Sequence, residues 1–130
     1  MLGFRVTHLE SGEAVVEGEV NESHHNPAGR LHGGYVCSIA DTAMGMAHWA
    51  SVRDRAGSTT VEMKINFLRP FFAGKLRAKA RMVKSGRTLS LLECEVTDEE
   101  GRLVAWASST YMALFPPHSD GTGRSSNAQT

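Results

Sequence analysis

The sequence predicts an α+β domain in which one long central helix is wrapped by a curved antiparallel sheet of five or six strands. Three observations predict it. A stretch from Gly33 or Gly34 to about Arg53 carries apolar side chains on nearly every face, the pattern of a buried helix. Four later segments alternate or run apolar in the manner of strands. A single helix can cover so many strands only if the sheet curves around it, one layer on another.

The elements follow in order. Residues 2–9 are weakly strand-like, and Glu10-Ser11-Gly12-Glu13 reads as a turn. From Ala14, the residues Val16, Gly18 and Val20 alternate with Glu17 and Glu19, a half-buried strand. Residues 21–31 hold Pro27 and Gly29, show no period and form a polar loop, a common place for function. Periodicity alone does not separate helix from strand in the next stretch; its length and its Ala and Met content do. Gly45 inside it predicts close approach by another backbone, and Gly57 suits its C-terminal stop. Then Thr59, Val61, Met63, Ile65 and Phe67 alternate with Thr60, Glu62, Lys64 and Asn66, until Arg69-Pro70 breaks the pattern. Leu76, Ala78, Ala80 and Met82 form a second alternating run, and Leu92, Cys94 and Val96 a third. Lys84-Ser85-Gly86-Arg87 is a turn between them, and Asp98-Glu99-Glu100-Gly101 a hairpin turn after the third. Residues 103–114 are apolar on both faces, so this strand is central to its sheet or meets another subunit. The domain is read as 1–115, with 116–130 a disordered tail.

Composition narrows the function. The 130 residues fit one domain, and 14 basic side chains balance 14 acidic ones, which gives no electrostatic case for a nucleic-acid or acidic-membrane partner. Cys37 and Cys94 sit in apolar surroundings and are read as reduced core thiols, as suits a cytoplasmic protein. The N-terminus has no apolar run of signal-peptide length. The apolar stretch 35–52 holds Ser38, Asp41, Thr42, His48 and Ser51, which a membrane span does not tolerate.

Asp41 stands out as an isolated carboxylate among Ile39, Ala40, Ala43, Met44 and Met46. Burying such an acid is costly and raises its proton affinity unless donors or a wet pocket compensate, so either the helix face is locally wet or the acid works. Gly33 and Gly34 open the helix with backbone N–H groups that lack intrahelical partners and point out from its positive end. Donors of this kind stabilise a carbonyl oxygen as it becomes an oxyanion, with nothing on a glycine to shield them. Asp41 follows Gly33 by about 12 Å of helical rise. One carbonyl cannot easily touch both, so if both act, acid and oxyanion donor come from different subunits with two helices side by side.

The pattern Asn26-x5-His32-Gly33-Gly34-x6-Asp41 resembles the hotdog-fold acyl-CoA thioesterases, specifically the phenylacetate-degradation type. Residues 61–70 (VEMKINFLRP) and Lys84-Ser85-Gly86-Arg87-Thr88 support the resemblance, which covers residues 1–115. It implies the hotdog fold and hydrolysis of an acyl- or aryl-CoA thioester to free acid and CoA. It implies that Gly33 N–H polarises the thioester carbonyl, and that Asp41 of the facing subunit is the nucleophile or the general base. Asn26 positions water or the acid by the same resemblance, His32 lies beside the thioester, and Thr60 falls near the water. Gly34 belongs to the substrate-binding turn; Gly86 and Arg87 meet CoA, where Arg87 pairs with a phosphate. No cofactor is expected, CoA being part of the substrate. A homodimer is needed for the site, and a homotetramer of two such dimers is the family's common assembly.

Plainer readings stand beside these. His32 can fix its loop, Asn26 can make a turn beside Pro27, and the 84–88 turn can be merely solvated. No metal site is expected: His24, His25 and His32 with Asp41 lack ligand spacing. His48 reads as a satisfied core histidine, and Trp49 and Trp106 as core. A non-catalytic acyl-CoA-binding module and a hydratase or dehydratase of the same fold are the alternatives to hydrolysis.

Overall fold

The computed structural model of the chain describes residues 3–20, 33–52 and 57–115. They form strands β1 (Arg5–Glu10) and β2 (Glu13–Val20), helix α1 (Gly33–Ser51), then strands β3 (Gly57–Phe67), β4 (Gly74–Ser85), β5 (Leu89–Thr97) and β6 (Leu103–Leu114). The loop expected at 21–31 and the tail expected at 116–130 lie outside the described residues. All six strands make one antiparallel sheet in the order β1-β2-β4-β5-β6-β3. The predicted helix and sheet are both present.

The helix lies close to the sheet because the strands offer it small side chains. Register puts Ala14 opposite Ala80, Ala80 opposite Cys94, Cys94 opposite Ala107, and Ala107 opposite Ile65. This row crosses five strands, and its first four members have no measurable solvent exposure. Ile39, Ala40, Ala43, Met44 and Ala47 of α1 join the same buried core. Larger residues flank the small row: Val16, Leu76, Leu92 and Val96 are also fully buried. A row of alanines beneath the helix, bordered by branched residues, gives the interdigitation that dense packing requires.

Sequence alternation located the inner faces of β2, β4 and β5, whose Val16, Leu76, Ala78, Ala80, Leu92, Cys94 and Val96 are buried. The β1–β2 turn is the one expected: Glu10 pairs with Glu13 across Ser11-Gly12, and Gly12 has φ +80, a conformation natural to glycine. The helix ends at Ser51, and Gly57 is the first residue of β3 rather than a helix stop.

Strand order in the sheet differs from chain order, since β3 leaves the helix for the far edge beside β6 and β4 returns to β2. Two expectations change. Gly45 meets a side chain of its own chain: a Cβ there would stand 3.6 Å from Tyr111 Cε2, an ordinary contact. Trp49 is 42% exposed on the open side of α1, and Trp106 is half-buried, so neither belongs to the core. The helix is therefore apolar beyond the face that the sheet covers, with Gly34 and Trp49 exposed and Ser38, Asp41, Thr42 and Met46 half-exposed. Among the described residues, no helix is long and apolar enough to cross a membrane.

Candidate active site

Asp41 lies in the third turn of α1 and is half-exposed in a single chain, so it does not carry the full cost of burying a charge. Donors gather on one of its oxygens. Tyr111 Oη donates to Oδ1 at 2.5 Å and lies 3.0 Å from the Asp41 carbonyl oxygen, while Thr60 Oγ1 donates to Oδ1 at 3.2 Å. A phenol carries one proton, and the charged carboxylate is the stronger acceptor. Burial, and then the hydrogen bond and charge of Asp41, hold the Tyr111 phenol well above its ordinary ionisation range. It stays a donor at neutral pH.

Thr60 reaches Asp41 because β3 contains an irregularity. Its pairing with β6 runs Met63–Ser109 and Glu62–Thr110 and then jumps to Thr60–Tyr111, leaving Val61 as an extra residue. Successive side chains on a regular strand alternate faces, which would put Thr60 with Glu62 on the outer face. The inserted residue reverses this, as a β-bulge does, and turns Thr60 inward beside Tyr111. Glu62 stays exposed and accepts the Thr110 N–H at 3.1 Å. The unbroken alternation read along residues 59–67 is thus corrected at Val61.

The same inward face of β3 supplies Ser58, whose Oγ lies 2.7 Å from His48 Nδ1. His48 is fully buried, and its ring centroid is 5.6 Å from that of Tyr111. The expectation of a core histidine holds, and its Nδ1 is hydrogen-bonded. Cys37, one helical turn before Asp41, has its thiol ionisation raised by burial and by the nearby carboxylate. Both cysteines are free.

Gly33 is the first helical residue, and a Cβ there would stand 3.6 Å from Phe67 Cζ; Gly34 is exposed. Asn26 and His32 lie outside the described residues. Gly86 and Arg87 occupy the β4–β5 turn. Gly86 N–H donates to Ser90 Oγ at 3.3 Å, and the Arg87 guanidinium lies 5.6 Å from the Phe115 ring centroid. Ser85, Ser90, Tyr111 and Thr60 stand opposite one another in successive strands. At about 4.8 Å per strand, the turn is on the order of 10–14 Å from the Asp41 cluster. It shares that end of the sheet without touching the acid.

The structure therefore brings Asp41 and Thr60 together and keeps Gly33, Gly86 and Arg87 apart from them within one chain. Tyr111 and Ser58 were missed by sequence reasoning. The run Ser108-Ser109-Thr110-Tyr111, four hydroxyls in an otherwise apolar strand, was the available signal. Two surface cavities of about 490 and 350 Å³ lie elsewhere, around Lys75, Asp98 and Glu99, and neither is lined by Asp41, Thr60 or Tyr111. His8, Glu10 and Glu13 approach within 4.8 Å at the exposed β1–β2 hairpin, on the opposite sheet edge from β3.

Known proteins share this architecture. The thioesterase superfamily profile matches residues 28–105. The proofreading thioesterase EntH of Klebsiella pneumoniae is 35% identical over 101 residues, 78% of this chain and 74% of its own. The 1,4-dihydroxy-2-naphthoyl-CoA hydrolase of Listeria monocytogenes is 30% identical over 109 residues, covering 84% and 89% respectively. Among solved structures, a mutant of the phenylacetic acid degradation protein PaaI from Thermus thermophilus superposes with a TM-score of 0.79 at 34% identity, covering 87% of this chain and 95% of that one. With one helix and a six-stranded sheet among the described residues, and with matching sequence, the chain belongs to the thioesterase superfamily of hotdog-fold thioester hydrolases.

Proposed function

We propose that this protein hydrolyses an acyl- or aryl-CoA thioester to the free acid and CoA, with Asp41 as the catalytic carboxylate. The observation that carries the reading is the pair of hydroxyl donors on Asp41 Oδ1. They hold one oxygen of a half-exposed acid and leave Oδ2 to act. In that role Oδ2 either takes a proton from water as the water attacks the thioester carbonyl, or attacks that carbon itself. The carbonyl oxygen gains negative charge in either case, and the Gly33 N–H at the helix start stabilises it. Collapse of the tetrahedral centre then breaks the carbon–sulfur bond and expels CoA thiolate. In the general-base route the thiolate takes up the proton that Asp41 received and the acid is already free; in the nucleophilic route a mixed anhydride remains on Asp41, which water hydrolyses to the free acid and the regenerated carboxylate.

The acid and the oxyanion donor that meet one substrate belong to two chains in this reading. Eight residues of helix separate Gly33 from Asp41 within a chain, and neither described cavity is lined by Asp41. The outer edge of β3, with Val61 53% and Phe67 46% exposed, suits cover by a second copy, since long apolar strand edges are otherwise prone to aggregate. A homodimer completes the site, and a homotetramer is two such dimers. Asn26 and His32 serve the water and the thioester. Gly34 binds the substrate, Thr60 steadies the acid, and Gly86 and Arg87 meet CoA. No cofactor is required beyond the CoA carried by the substrate, and the free thiols suit a cytoplasmic setting.

The test is thiol release from a panel of acyl- and aryl-CoAs by wild type and Asp41→Asn. Wild type is expected to release CoA, and the variant to lose more than tenfold in kcat/KM, above about 1.4 kcal/mol. A wild type silent across the panel refutes hydrolysis. A variant within tenfold removes Asp41 from the chemistry.

A further inference from the structure

The geometry points to Tyr111 as a positioning residue for the reaction, one that fixes the Asp41 carboxylate so that a single oxygen faces the thioester. The inference rests on the proposed role of Asp41 and adds a residue that the sequence pattern did not supply.

Tyr111 lies on the inner face of β6, between Ser90 of β5 and Thr60 of β3, and is 2% exposed. Such a ring cannot touch a substrate held above the helix; whatever it contributes passes through Asp41. Its hydroxyl makes a short bond to Oδ1, within the range of charge-assisted O–H···O⁻ contacts. The ring itself has little freedom. His48 packs beside it with centroids 5.6 Å apart, and the open space at Gly45 receives its edge. A rigid donor at the end of a strand thereby fixes a carboxylate on a helix, joining the two layers at the reacting group.

Thr60 cannot do this alone. Its bond to the same oxygen is longer, and it sits exposed on an edge strand, whereas Tyr111 is anchored within the sheet. With both donors on Oδ1, rotation of the carboxylate would break two hydrogen bonds at once. Holding a reacting atom in its productive orientation is a recognised source of rate, and it acts on turnover rather than on substrate affinity.

The experiment measures kcat and KM separately for wild type, Tyr111→Phe and Asp41→Asn, using the best substrate of the acyl-CoA panel and phenylacetyl-CoA. The phenylalanine keeps the ring and removes only the hydroxyl. We expect kcat to fall tenfold or more with KM within about twofold. Placing 4-aminophenylalanine at 111 restores an N–H donor on the same ring, and kcat should recover to within about threefold of wild type. A phenylalanine variant with kcat within twofold of wild type overturns the inference, and so does a fall in kcat that the amino variant fails to rescue. If the phenylalanine variant does not fold, the amino variant decides alone: kcat within threefold of wild type supports the inference, and a tenfold fall overturns it. An active Asp41→Asn enzyme refutes the underlying reading instead, which separates the two failures.

Discussion

Thr60 Oγ1 donates to Asp41 Oδ1 across 3.2 Å, a contact that exists because one extra residue, Val61, is inserted in β3. Without it the hydroxyl would point away from the helix with Glu62. Because the bond is exposed in a single chain and Tyr111 already holds the same oxygen, its contribution is modest. Thr60→Ala is expected to lower kcat/KM roughly three- to tenfold, about 0.6–1.4 kcal/mol, and Thr60→Ser to retain most of the activity. Steady-state kinetics on the two variants settle it: equal losses for Ala and Ser mean that the hydroxyl is not what matters.

Most of the fold could be read in the sequence because it rests on two periods. The helix declared itself by length and all-round apolarity, and the inner faces of β2, β4 and β5 by strict alternation around Val16, Ala78 and Cys94. Alternation reports which face a residue occupies but not which strand lies beside it, so the placement of β3 against β6 was invisible. The bulge was hidden for a related reason. Val61 is an apolar residue in the expected phase, with no glycine or proline to mark the insertion. Within the site, Asp41 was conspicuous as a lone charge in an apolar helix. Tyr111 was not, because tyrosine in an apolar strand passes for packing until its hydroxyl is located.

The buried hydrogen bond between His48 Nδ1 and Ser58 Oγ ties the helix to the edge strand that carries Thr60. His48 is fully buried, so loss of its 2.7 Å partner removes a bond that water cannot easily replace. Ser58→Ala should cost roughly 1–3 kcal/mol of stability. Urea titration of the variant checks this, and a free energy of unfolding equal to wild type would show that the pair contributes nothing.

Gly86 has a structural reason to be glycine whether or not CoA meets the turn. A Cβ there would overlap the Leu89 carbonyl oxygen, a backbone atom that cannot move aside without reshaping the β4–β5 turn. Gly86→Ala is therefore expected to destabilise the protein by roughly 1–3 kcal/mol, as overpacking does. Arg87→Ala meets no such clash and removes the exposed contact of the guanidinium with Phe115, so it should cost at most about 0.5–1 kcal/mol of stability while raising KM for CoA esters if the guanidinium pairs with a phosphate. Thermal unfolding and KM measured on both variants separate the turn's structural role from its binding role.

Burial also gives a pH signature through Cys94. The thiol sits in the row of small residues beneath the helix, and burial, followed by the charge of Glu95, pushes it up to about 12 from 9.0. A thiol raised in the folded state favours the protonated, folded protein. Its contribution is complete below the unfolded value near 9 and is lost as pH climbs toward 12. Across that window the unfolded chain holds fewer protons than the folded one, so stability should decline by up to about 1.4 kcal/mol per pH unit from this group. Tyr111, also raised, adds to the decline, so the comparison that isolates the thiol is wild type against Cys94→Ala. The variant is expected to be less stable at pH 7, for want of a buried side chain, and to fall less steeply between pH 9 and 11. Parallel pH dependence in the two proteins would mean that Cys94 ionises as readily in the folded core as in the open chain.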